Sequence, residues 1–141
     1  MRGGERTPIE QVWTPQLYLS YSGERGVTSD CVRRVQELRK RSPLLGDKID
    51  AQMHEAVDIA ERALGQPEKD GFLLLADALN MARDCFYQWG LCDGALDHHI
   101  RDLAKAGAFA LKPTGSGGGG YVLSLWQNKP PADLRAKMIQ L

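Results

Sequence analysis

Between residues 47 and 89 the sequence carries two consecutive apolar stripes, each with the spacing of an α-helix. A glycine and a proline stop the first stripe, Ile49–Leu64, and the second, Phe72–Trp89, advances in alternating steps of three and four. This is the spacing of two long helices packed side by side. Met53 and the aromatic residues could also line a cofactor pocket, but a stripe with the packing period and no polar partner favours a helix-to-helix core.

Strand-like segments lie on both sides of this helical hairpin. Thr28 or Ser29 is placed to cap a helix that ends near Ser42, and Asp93 a later one that ends at Gly107. The remaining elements are a short edge strand at Ile9–Trp13, strands at Leu17–Tyr21, Ala108–Leu111 and Tyr121–Trp126, and a last helix with Leu134 and Met138. This order predicts an α+β fold in which an antiparallel sheet carries several helices on one face.

Composition limits the class of protein. The chain has 141 residues, 18 Lys+Arg against 18 Asp+Glu, and 43% hydrophobic residues, which predicts one soluble domain that needs neither a disulfide nor a metal to fold. Balanced charge argues against a nucleic-acid partner. Three cysteines without zinc-site spacing, and an N-terminus without an apolar signal segment, favour the reducing cytoplasm. The sequence has no apolar stretch long enough to cross a membrane.

A glycine-rich segment, Lys112–Gly120, lies between the last two predicted strands. Glycine is costly in entropy and is retained where the backbone needs positive φ or where a ligand approaches closely. Gly115, Gly117 and Gly120 also match the dinucleotide-binding pattern G-x-G-x-x-G. That pattern requires a helix after the last glycine, whereas a strand is predicted here. A flexible linker is the alternative, and the position inside one domain argues against it. The sequence therefore predicts a strand-to-strand turn whose backbone N–H groups suit a phosphate or close packing.

The same segment resembles the third motif of the GHMP small-molecule kinases, which reads K-L-T-G-A-G-G-G-G in their mevalonate kinase members. Gly90–Asp97 resembles the stretch G-V-S-x-x-x-L-D of that family. Ser22-Gly23, followed by Thr28-Ser29, resembles a strand-end T-G and a helix-start S-T of the same domain. The resemblance runs from about Leu17 to Trp126 and departs from the family at Pro113, Ser116, Tyr121 and Cys92-Asp93.

The resemblance implies that residues 1–141 form a single ferredoxin-like domain, the C-terminal domain of a mevalonate kinase-like enzyme. It implies ATP and Mg²⁺ as cofactors, a small-molecule alcohol as substrate, and an N-terminal ATP-binding domain as a partner that this sequence does not contain. The P-x-x-x-G-L-G-S-S-A loop, the base and the magnesium ligands belong to that domain, so the chain alone is expected to be inactive. The phosphate end of the cleft is assigned to Thr114, Gly115, Ser116, Gly117, Gly118 and Gly119, and no catalytic or metal-binding residue is assigned to this chain.

Several alternatives stay open at this stage. In a kinase the phosphoryl acceptor is mevalonate, a sugar or another isoprenoid intermediate. The alternative is a standalone ferredoxin-like binding module that catalyses no reaction. The chain is either a monomer or a homodimer. Lys112 either approaches a phosphate or is a solvated charge at a strand end, and the second is more usual. Adjacent His98 and His99 point about 100° apart on a helix and so do not share one metal ion. The cysteines are interpreted as small core residues: Cys31, Cys85 and Cys92.

Overall fold

The computed structural model describes residues 11–23, 28–92, 94–114 and 120–141, without the side chains of Thr28 and Ser29. The elements follow in the order β1 (Leu17–Tyr21), α1 (Thr28–Arg41), α2 (Pro43–Leu64), α3 (Glu68–Gln88), α4 (Gly94–Ala106), β2 (Ala110–Pro113), β3 (Tyr121–Leu125), α5 (Ala132–Arg135) and β4 (Met138–Gln140). The caps predicted at Thr28, Ser29 and Asp93 lie outside the described residues and side chains. Within the described residues, no helix is long and apolar enough to cross a membrane.

The sheet confirms the predicted α+β class. Its four strands have the order β2-β3-β1-β4, and each neighbouring pair is antiparallel. The two central strands, β1 and β3, are thus flanked by β2 on one side and β4 on the other, which is the ferredoxin-like arrangement. All four helices between β1 and β2 form one long connection within this arrangement.

The helical hairpin predicted from the two stripes is confirmed. Helices α2 and α3 pack along each other, and Ile49 and Cys85 are completely buried between them. Helix α2 begins four residues before the predicted start, because Ser42 caps it and Pro43 stands at its first position. The Ser42 hydroxyl accepts a hydrogen bond of 3.4 Å from the backbone N–H of Leu45.

The core has two clusters, and successive strand residues contribute to different ones. Tyr18 and Val122 join the α4 residues Ile100 and Leu103 in the first cluster. The second cluster contains Trp13 and side chains from α2, α3 and the other face of the sheet: Ala63, Leu75, Ala76, Leu79, Ala110 and Leu125. Helix α4 therefore covers one face of the sheet, and the α2–α3 hairpin reaches part of the opposite face.

Three predicted elements differ from the structure. Residues 11–13 of the expected edge strand are not a strand: the backbone N–H of Val12 instead donates to the Leu64 carbonyl, 2.8 Å away. The strand predicted at Ala108–Leu111 lies two residues later, because it pairs with β3 through Pro113. The last helix does not reach Met138, which belongs to β4, because this segment completes the hydrogen-bonding edge of β1.

Candidate functional site

The glycine segment joins β2 and β3, as predicted. Gly115–Gly119 lie outside the described residues, so the structure reports only their two flanks. On these flanks the backbone N–H of Thr114 donates a hydrogen bond of 3.2 Å to the carbonyl of Tyr121, which extends the antiparallel pairing by one step. The segment therefore starts and ends at paired backbone positions of one hairpin.

The end of β1 lies beside the same hairpin. The backbone N–H of Ser22 donates a hydrogen bond of 2.8 Å to the carbonyl of Gly120. Farther along the same pair of strands, the rings of Tyr21 and Tyr121 are 5.1 Å apart. The structure thus brings Ser22 next to Gly120, the last residue of the glycine segment.

Two glycines at the adjoining ends of the central strands β1 and β3 have positive φ. Gly23 has φ +95° and Gly120 has φ +74°, values that a residue with a Cβ atom rarely adopts. The backbone conformation at residue 120 therefore requires glycine. This observation favours a defined turn over a linker at the one glycine of the run, Gly120, that the structure describes.

Lys112 is not the solvated edge charge that the sequence favoured. Its side chain is partly buried, and Nζ lies 5.8 Å from the centroid of the Phe86 ring. Nζ also donates to the carbonyl of Pro113 at 3.4 Å, a long hydrogen bond. Burial lowers the pKa of Lys112 from its ordinary value, because desolvation disfavours the ammonium form.

An open cavity of about 470 Å³ lies where Lys112 ends. Its walls come from α1, α2, the end of α3 and β2, and include Met53, Phe86 and Trp89. The sequence favoured helix core for these side chains, and Phe86, with an exposed fraction of 4%, confirms that in part. The stripe also lines a cavity, which was the less favoured interpretation. The sequence periodicity does not distinguish a cavity lining from a helix-to-helix core, because both place apolar side chains at the same helical spacing.

The Gly90–Asp97 stretch connects α1, α3 and α4. The Tyr87 hydroxyl donates a hydrogen bond of 2.7 Å to Asp97, and the Arg101 Nε donates another of 2.9 Å. These bonds, the one from Tyr87 most of all, lower the pKa of the Asp97 carboxyl. Arg34 on α1 donates a hydrogen bond of 2.7 Å to the Gly90 carbonyl. The hydrogen bonds of Asp97 therefore hold the junction of α3 and α4.

The paired histidines have separate environments, as predicted. His98 is exposed, whereas His99 is half-buried, with its Nε2 2.8 Å from the Ser20 hydroxyl. Burial lowers the pKa of His99, and the charge of Asp102 opposes this shift. Cys85 and Cys92 are buried and Cys31 is partly buried, which agrees with the core interpretation. In the described ranges no three His, Cys, Asp or Glu side chains are grouped as metal ligands.

No family model matches the chain, but the curated proteins it resembles in sequence are mevalonate kinases. It is 28% identical over 115 residues to a mevalonate kinase of Pyrococcus abyssi and 29% identical over 127 residues to one of Archaeoglobus fulgidus. These matches cover 80% and 90% of the chain, but only 34% and 41% of the two kinases. The chain therefore spans less than half the length of the curated relatives it matches.

Solved structures share the fold. A crystal structure of L. major mevalonate kinase in complex with R-mevalonate superposes with a TM-score of 0.74 over 93% of this chain, at 21% identity. The Methanococcus jannaschii mevalonate kinase gives a TM-score of 0.58 over 91% of this chain, at 19% identity. Each alignment covers 38% of the solved kinase.

The chain is thus similar in sequence to mevalonate kinases of the GHMP family, and it shares the fold of the matching part of solved mevalonate kinases.

Proposed function

We propose that this domain is the C-terminal domain of an enzyme that phosphorylates mevalonate with ATP. The observation that carries the proposal is the hydrogen bond between Ser22 and Gly120, which joins the Ser22-Gly23 stretch to the end of the Lys112–Gly120 segment where the central strands β1 and β3 meet. Both stretches resemble the mevalonate kinases, and the named relatives are mevalonate kinases. In this proposal residues 1–141 are one domain, which acts in the cytoplasm together with an N-terminal ATP-binding domain.

The glycine segment forms the phosphate end of the proposed cleft. Gly115–Gly119 shape this end, and the hydroxyl groups of Thr114 and Ser116 contact the phosphates of ATP. The mevalonate hydroxyl oxygen forms a bond to the γ-phosphorus as the bond to the ADP oxygen breaks, and the hydroxyl proton leaves to a base. ATP supplies the phosphoryl group, and Mg²⁺ neutralises its charge. The base and the Mg²⁺ ligands come from the N-terminal domain, so the isolated chain is inactive.

The coding sequence upstream of this domain tests the proposal at low cost. An in-frame P-x-x-x-G-L-G-S-S-A segment, expressed with this domain, is expected to give an enzyme that releases ADP with mevalonate. Release only with galactose or another sugar, or with a phosphorylated isoprenoid precursor, would move the assignment to another GHMP kinase. If no such segment exists and ADP is not released, the chain is a standalone binding module and the kinase proposal is wrong.

A further inference from the structure

The cavity beside Lys112 has apolar walls and a single cationic group. Val35 on α1, Met53 on α2 and Leu91 after α3 contribute aliphatic or thioether surface, and Phe86 and Trp89 contribute rings. These two rings stand edge to face, with their centroids 5.5 Å apart. At about 470 Å³, the cavity is within the range of small-molecule sites. Such walls favour an apolar ligand over water.

Lys112 has no anionic partner in the part of the chain that the structure describes. Its contacts there are the Phe86 ring and the Pro113 carbonyl at 3.4 Å. A partly buried ammonium group without a counter-ion is costly, because desolvation is not offset by a charge of opposite sign. An anion in the cavity would restore that balance. The ring contact holds Nζ at the cavity without neutralising it.

We propose that this cavity binds a small amphipathic anion with one terminal carboxylate or phosphate group. The anionic group lies against the Nζ of Lys112, and the apolar part of the ligand replaces water between Met53, Phe86 and Trp89. A short alkyl chain with a carboxylate is the simplest molecule of this class. This site goes beyond the proposed kinase function, since it needs neither ATP nor an N-terminal domain.

A nucleoside triphosphate is a poor match for the same cavity. It carries several charges and hydroxyl groups, whereas the lining offers one ammonium group and the amide of Gln36 as its charged or amide side chains. Unpaired polar groups in an apolar site cost binding energy. The proposed phosphate contact at Thr114 and Ser116 and the amphipathic site at Lys112 are therefore separate, and each can fail without the other.

The full 141-residue chain can be titrated with octanoate while the methyl resonance of Met53 and the indole resonance of Trp89 are followed by NMR. We expect saturable shifts at both residues below the concentration at which octanoate forms micelles. Octylamine, with the same chain and a positive charge, should bind at least tenfold more weakly. This comparison uses the unaltered protein and depends on no variant. Octyl phosphate then tests whether the terminal anion is interchangeable.

Lys112→Met removes the charge and keeps an apolar side chain. The substitution should weaken the binding of octanoate at least tenfold and leave the affinity for 1-octanol unchanged. Lys105→Met, at an exposed position on α4, is the matched control and should leave octanoate binding at the wild-type value. No shift at Met53 and Trp89 with any of the four probes would overturn the site. Equal affinities for octanoate and octylamine, or an unchanged affinity in Lys112→Met, would overturn the role of Lys112.

Discussion

The indole Nε1 of Trp13 donates a hydrogen bond of 2.9 Å to the backbone carbonyl of Ala63, and both groups lie directly against Gly71 of α3. A Cβ atom at residue 71 would overlap the carbonyl oxygen and the indole at once. The segment before β1 is thus held onto the α2–α3 hairpin by a bond that needs the small size of glycine.

Gly71→Ala should therefore destabilise the domain. Alanine favours a helix over glycine by about 1 kcal/mol, but overpacking against a backbone carbonyl costs typically about 1 to 3 kcal/mol or more. We expect the clash to dominate and the free energy of unfolding, measured with urea, to fall. Gly46→Ala on α2 is the control, because its Cβ would lie 3.4 Å from the Arg39 side chain, close to ordinary contact, and stability should hold. Equal stability of both variants would contradict this packing.

Phe86→Ala should cost about 3 to 5 kcal/mol, the usual range for a buried aromatic residue. Phe86 is 4% exposed and contacts both the core and the cavity wall. Phe109 is 44% exposed, so Phe109→Ala should cost clearly less, although it loses a ring contact with Phe72. Chemical denaturation of the two variants checks the order. A loss below about 1 kcal/mol for Phe86→Ala would place that ring at the surface.

Stability should fall in weak acid because of His99. Burial lowers its pKa below the ordinary value of 6.5, so the unfolded chain binds a proton more readily than the folded chain. The contribution of neutral His99 is complete above about pH 6.5 and decreases as the pH falls. Urea unfolding at pH 8 and pH 5.5 should show a smaller difference for His99→Gln than for the wild type. His98→Gln, at an exposed position, should retain the wild-type difference, and equal behaviour of the two variants would refute the role of His99.

Local patterns were sufficient for β1, the helical hairpin and the α+β class. They failed where pairing over long sequence distances decides the structure. Leu134 and Met138 have helical spacing, but the three residues of β4 are too few to alternate, and the open edge of β1 determines their conformation. Lys112 is an ordinary strand residue in the sequence, and only the packing of Phe86 against β2 places its ammonium group at a cavity.

The isolated chain should show no ATP-dependent phosphorylation of mevalonate. In the proposed mechanism, the base and the magnesium ligands come from the N-terminal domain. The measurement is ADP release by the purified 141-residue chain with mevalonate, compared with the same assay without mevalonate. Turnover that depends on mevalonate would show that the chain carries a complete active site and would contradict this division of roles.

The proposed role of the glycine segment, which is to shape the phosphate end of a kinase cleft, is tested most directly by kcat/KM of Gly118→Ala in the intact kinase. If, as proposed, residue 118 has positive φ or lies against the P-x-x-x-G-L-G-S-S-A loop of the N-terminal domain, an added methyl group strains the backbone or blocks that approach. We predict at least a tenfold decrease with mevalonate, about 1.4 kcal/mol of transition-state stabilisation, and an unchanged value for the Gly46→Ala control. Wild-type kinetics in Gly118→Ala would mean that the segment is a linker and would contradict its role at the phosphate end of the cleft.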